Sequence, residues 1–262
     1  MSTHTQQLQR WIVILGASLL LLIGAMAFLM WQDKQQLPQS TVHHSDATQI
    51  RIQRQGFVDI HLSKTAELWQ IDNPCTISAN EQRLEPLLGA LTPGPHLYNA
   101  SEVDLEAAGL LTPQAIVFIN ETEHRIGNTD LHGERRYQQI GNKVGFIPEW
   151  VLSLVNGGIT AFAKLRVLPD AIDSLVLVDS DGVETQISST EDIQQWKDIS
   201  AQQIVSWPTD DFRNEEPAMT LLATTQAGDE LGFSVYHTER YTAITSQAAD
   251  CAYILPLDSL PD

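Results

Sequence analysis

The sequence predicts an α+β fold: a single N-terminal transmembrane helix followed by two related lobes of short antiparallel strands with a few short helices. Three observations carry that expectation. Residues Trp11–Trp31 run without a charge. After Gln49, apolar and polar residues alternate with a period of two in many short segments. One pattern of Gly, His, Glu, Arg and Tyr occurs twice.

The first element, WIVILGASLLLLIGAMAFLMW, would span about 30 Å as a helix, the thickness of a bilayer's hydrocarbon core. Trp11 and Trp31 fall where the two interfaces would lie. Ala25-Met26-Ala27 has the small-x-small form of a cleavage site. It sits inside the apolar run, however, and cleavage would expose Phe28, Leu29, Met30 and Trp31, so the reading is an uncleaved signal-anchor. Residues 1–10 become a cytoplasmic tail, 11–31 the transmembrane helix, and 32–48 a polar linker with Pro38, Ser40 and His43-His44. Arg10 and Lys34 flank the span on opposite sides and nearly balance. The short tail and long distal domain favour an inner-membrane protein with its bulk in the periplasm; a cytoplasmic domain is the alternative that the positive-inside rule leaves open.

The first lobe is assigned to residues 49–158. Ile50 and Ile52, then Val58, Ile60 and Leu62, alternate around Gln55-Gly56 as a hairpin, and Leu68–Ile71 continues as a strand. Ser78-Ala79-Asn80-Glu81 reads as a capping box opening a helix. Its apolar stripe is Leu84, Leu87, Leu88 and Leu91, with Pro86 as a kink. Ser101–Asp104 opens a second short helix that Gly109 closes. Strands follow at Ala115–Ile119 and Lys143–Ile147, and then a short helix from Pro148 that stops at Asn156-Gly157-Gly158.

The second lobe, residues 164–262, is expected to be a divergent copy. Leu175–Val178 and Val183–Ile187 flank Asp179–Gly182 as a hairpin, Thr190–Lys197 is a helix, and Gln203–Trp207 and Met219–Thr224 are strands. The repeat is clearest where Ile126-Gly127, His132, Glu134, Arg135 and Tyr137 match Leu231-Gly232, His237, Glu239, Arg240 and Tyr241. Each copy precedes an apolar strand ending in proline, at Pro148 and Pro256.

Lys and Arg total 15 against 33 Asp and Glu, a formal charge of −18. Such a chain repels nucleic acid and anionic surfaces. The bilayer would be engaged only through residues 11–31. Cys75 and Cys251 are the two cysteines. They are a disulfide candidate in an oxidising compartment, with two separate buried thiols as the alternative.

The candidate ligand-binding residues are His132, Glu134 and Arg135 with His237, Glu239 and Arg240. A histidine and a carboxylate two apart on a strand share a side and can share a proton or a metal, and an adjacent arginine can hold an anion. Polar residues needed by any turn are the plainer explanation. The pair His43-His44 lacks a third ligand nearby. There is no serine elbow, zinc-protease helix, Walker loop or dinucleotide fingerprint, so no catalytic residue, metal or cofactor is assigned. Trp69, Trp150, Trp196 and Trp207 read as packing residues, a solvent-exposed binding aromatic among them being the alternative.

Trp69, Pro74, Leu84–Leu91, Gly109-Leu110 with Pro113, Ile126-Gly127, Tyr137 and Val144–Ile147 resemble the pattern of the bacterial domain of unknown function 4340. Pro86 and the divergent second lobe depart from it. The resemblance implies a membrane-anchored envelope protein alongside a transport system, with no established catalytic residues. The expected function is therefore an accessory or scaffold protein meeting another inner-membrane or periplasmic protein. The alternatives are a binding module holding a sugar or peptide in an inter-lobe cleft, and a cell-envelope hydrolase.

Overall fold

The alternating segments become two antiparallel sheets in the structure, a computed structural model that describes residues 46–209, 212, 215–246 and 250–261. All of these fall within one unit, residues 43–262. Gln49–Arg54 (β1) and Ile60–Thr65 (β2) form the first hairpin, Ile52 facing Ile60. Leu68–Asn73 (β3) and Ile77–Ser78 (β4) extend it. Helix Glu81–Leu91 (α1) leads to a two-residue edge strand, Tyr98–Asn99 (β5). A meander follows: Ala115–Ile119 (β6), Thr122–Thr129 (β7), Arg135–Ile140 (β8) and Lys143–Pro148 (β9). The order across this sheet is β4-β3-β2-β1-β6-β7-β8-β9-β5.

Two short helices, Trp150–Asn156 (α2) and Gly158–Phe162 (α3), lead to the second sheet. Ile172–Asp179 (β10) and Glu184–Ile187 (β11) are a hairpin, followed by helix Thr190–Asp198 (α4) and edge strand Gln203–Ser206 (β12). Met219–Thr225 (β13), Glu230–His237 (β14), Tyr241–Ser246 (β15) and Cys251–Pro256 (β16) complete it. The order is β11-β10-β13-β14-β15-β16-β12. Both sheets thus follow one path: a hairpin, a helix, an edge strand paired with the final strand, and a four-strand meander. The first carries β3 and β4 in addition.

The register refines the repeat. Pro148 faces Arg135 across β8 and β9, whereas Pro256 faces Tyr241 across β15 and β16. Measured from these prolines, Tyr241 occupies the place of Arg135, not of Tyr137. The second turn is tighter, so residues matched in sequence separate in space.

The inward faces of both sheets contribute to one apolar cluster. Ile50, Leu62, Ile71 and Val117 from the first sheet join Leu175, Leu221, Val235 and Leu255 from the second. Leu84, Leu87 and Leu91 of α1, Val151 and Val155 of α2, and Ile193 and Trp196 of α4 pack into the same cluster. A disulfide joins Cys75, between β3 and β4, to Cys251 at the start of β16, with Cα atoms 5.5 Å apart.

Several expectations need correction. Ser78 is not the cap of α1: it pairs with Gln70, and its carbonyl accepts from the Lys164 amide at 2.9 Å. Asn80 caps instead, its side chain accepting from the Gln82 amide at 3.1 Å. Pro86 lies exposed inside α1, which continues past it to Leu91. The expected second helix shrinks to one 3-10 turn, Ala100–Glu102, and Pro148 ends β9 rather than opening α2. The linker yields its last residues to the fold, since Ala47 is buried and the Thr48 amide donates to the Asn120 side chain at 3.0 Å.

The fold class is corrected as well. The structure is α+β with two sheets, and no helix among the described residues is long and apolar enough to cross a membrane. The longest of them, α1, has 11 residues, about 16 Å, or half the thickness of a hydrocarbon core. The expected span at 11–31, the tail at 1–10 and the pair His43-His44 lie outside the described residues. The signal-anchor, the lipid bilayer as partner and the inner-membrane, periplasmic location have no element among the described residues to rest on, and they are set aside.

Candidate functional site

The structure places the repeated polar segments in the turns joining β7 to β8 and β14 to β15. His132 and Glu134 are exposed in the first turn. Arg135 reaches back to Asp130, with Nε at 3.1 Å and Nη2 at 3.0 Å from Oδ2, and its guanidinium lies 4.5 Å from the centre of the Phe146 ring. Burial pushes the Asp130 carboxyl up, but the hydrogen bonds and charge of Arg135 outweigh it and hold the group below the usual carboxylate range. In the second turn His237 ends β14, its Nδ1 sharing a 2.9 Å hydrogen bond with the Thr242 hydroxyl. Glu239 and Arg240 are exposed. Arg135 latches its hairpin, and His237 latches the other. Among the described residues no three His, Cys, Asp or Glu side chains gather where they would hold a metal ion.

A different place has the shape of a binding site. A groove of about 610 Å³ is lined by Asn80, Gln82, Arg83 and Pro86 of α1 and its cap, by Trp150, Ser153 and Leu154 of α2, and by Thr160, Ala161, Ala163 and Leu165. Its three walls are fixed by separate local interactions. Helix α2 turns Val151, Leu152 and Val155 into the core, which leaves Trp150, Ser153 and Leu154 as a second stripe at i, i+3 and i+4 facing the groove.

That helix is pinned at both ends. Glu149, just before it, accepts from Arg136 at 2.7 Å and from the Thr129 hydroxyl at 3.2 Å. At the other end Arg54 donates to the Asn156 carbonyl at 3.3 Å, a cation at the negative pole of the helix. Burial lowers the Arg54 pKa against the opposing pull of Asp59.

The remaining walls are tied by backbone pairing. The Asn80 amide donates to the Phe162 carbonyl at 2.6 Å, and Ala79 bridges Ala163. The Thr160 hydroxyl accepts from the Ile204 amide at 3.0 Å, fastening α3 to β12. Trp150 is 44% exposed on this pinned frame, while Trp69 and Trp196 are buried in the core. Sequence reasoning grouped Trp150 with the packing residues, an exposed binding aromatic among them being the alternative, and passed over Arg83. The signal for Trp150 was the i, i+3, i+4 set lying opposite Val151, Leu152 and Val155.

No family model, no curated protein and no solved structure matches the chain. The resemblance to the domain of unknown function 4340 is corrected accordingly. Its quoted residues are mostly strand and helix packing positions, such as Trp69, Leu84–Leu91 and Ile126, which many α+β folds require.

Proposed function

We propose that this chain is a non-catalytic protein-interaction module that seats a segment of a partner protein in the groove between α1, α2 and α3. The observation that carries the reading is the half-exposed Trp150 on the groove wall, on a helix held at both ends. Tryptophan and arginine dominate the energetics of protein interfaces, and a groove already ordered before binding loses less entropy when it is filled. The shared core and the disulfide support the same reading, since they hold both sheets as a firm base beneath the helices.

The test is a photo-reactive amino acid placed in living cells at Ser153, within the groove, and separately at Thr185 on exposed β11. A discrete adduct from position 153 alone is expected. Purified with this chain, the captured partner should bind at least about tenfold more weakly to Trp150→Ala, the scale of an interface hot spot. Equal adducts from both positions, or unchanged affinity in Trp150→Ala, would overturn the proposal.

A further inference from the structure

We infer that the segment seated in this groove carries a carboxylate beside an apolar side chain, with the carboxylate bound by Arg83. The inference rests on the groove being the partner site. The chain has 33 Asp and Glu against 15 Lys and Arg, yet no residue lining the groove is acidic and one is an arginine.

Six of the other described arginines are already engaged, while Arg240 stands exposed in the turn between β14 and β15 and does not line the groove. Arg51 lies over Phe118, Arg54 holds the end of α2, and Arg125, Arg135, Arg136 and Arg166 are in ion pairs. Arg83 makes no side-chain hydrogen bond or ion pair among the described residues. It stands exposed on α1 at the groove wall. A guanidinium with its donors unclaimed recognises a carboxylate through two parallel hydrogen bonds.

Pro86 supplies a second recognition element. It has no amide hydrogen, so the Gln82 carbonyl one turn earlier lacks its helical donor. Gln82 and Pro86 both line the groove, and an incoming peptide N–H that reached this carbonyl would supply the missing donor. Across from α1, Trp150 and Leu154 offer an apolar wall. A carboxylate on Arg83, a peptide N–H on the Gln82 carbonyl and an apolar side chain against Trp150 together describe one short segment. A lysine in place of the acid would face Arg83 with no carboxylate lining the groove to offset it, the like-charge penalty by which interfaces reject wrong partners.

The experiment selects displayed random peptides on the full chain. The enriched sequences are then measured as synthetic peptides by fluorescence anisotropy against wild type, Trp150→Ala, Arg83→Ala and Arg83→Glu, each variant first shown to melt as the wild type does. Peptides whose binding depends on Trp150 should be enriched in Asp or Glu next to an apolar residue. Replacing that acid by Lys should weaken wild-type binding about tenfold or more, as expected for a charge-assisted pair. Arg83→Ala should erase the difference and Arg83→Glu should reverse it. Trp150-dependent peptides without acid preference, or a preference that persists in Arg83→Glu, would overturn this inference and leave the groove reading intact. Failure to find any Trp150-dependent peptide would overturn both.

Discussion

Opening the Cys75–Cys251 disulfide should remove a large part of the folding free energy, and its size follows from the chain path. The bond closes a loop with a sequence separation of 176. The chain-entropy relation, −2.1 − 1.5R ln n, then gives ~17 cal/mol/K, or about 5 kcal/mol at room temperature. Native domains hold only about 5–15 kcal/mol in total. Both sulfurs are buried, so Cys75→Ala/Cys251→Ala also trims core packing, by roughly 1 kcal/mol per site. Reduced wild type separates the two effects, since it loses the cross-link and keeps the atoms. Urea unfolding followed by tryptophan fluorescence should show reduced wild type less stable by about 3–5 kcal/mol, with a steeper denaturant dependence because the freed chain expands further. The Ala/Ala variant should lie slightly lower still. A loss under about 1 kcal/mol with an unchanged slope would refute the reasoning, because the unfolded chain would then hold these segments together without the bond.

Three further outcomes follow from named contacts. A Cβ on Gly127 would sit 2.2 Å from the Ala108 carbonyl, so Gly127→Ala should cost at least about 2 kcal/mol in thermal unfolding, through displacement of the 104–110 turn from β7. Burial pushes the Tyr253 hydroxyl up to about 12; this raised value gives stability that is complete below the unfolded value near ~10 and is lost as pH rises toward 12, roughly 2–3 kcal/mol. Tyr253→Phe should flatten that alkaline loss in a stability–pH profile. Asp130 is held below the ordinary range, so its contribution is present above the unfolded value of about 3.9 and is lost as pH falls through the folded value. Asp130→Asn should remove that acid limb, and Arg135→Ala should shrink it, since the backbone amide of residue 135 still donates to the carboxylate.

Much of the strand and helix pattern was legible because it depends on local periodicity. Ile50, Ile52, Ile60 and Leu62 alternate in sequence and face the core in the structure. Thr190–Asp198 opens at Ser189, which accepts from the Asp192 amide at 3.0 Å. The failures were competitions that a linear reading does not contain. Ser78 lost its capping role to strand pairing and to Lys164, a partner 86 residues later. The repeat was aligned through its polar turns, the segments where strand register places the least constraint, so His132 and His237 were treated as equivalent when one is a turn residue and the other a strand end. The groove was illegible for a similar reason. Arg83 and Trp150 come together only through the pairing of Ala79 with Ala163 and the pins on α2.

The interaction reading is tested most directly by hydrogen exchange on the full chain, alone and with the partner captured through Ser153. The expected result is slowed exchange concentrated in residues 80–88 and 150–165, with β10 and β11 unchanged. Protection confined to β10 and β11, or spread evenly with none at α1 and α2, would contradict it.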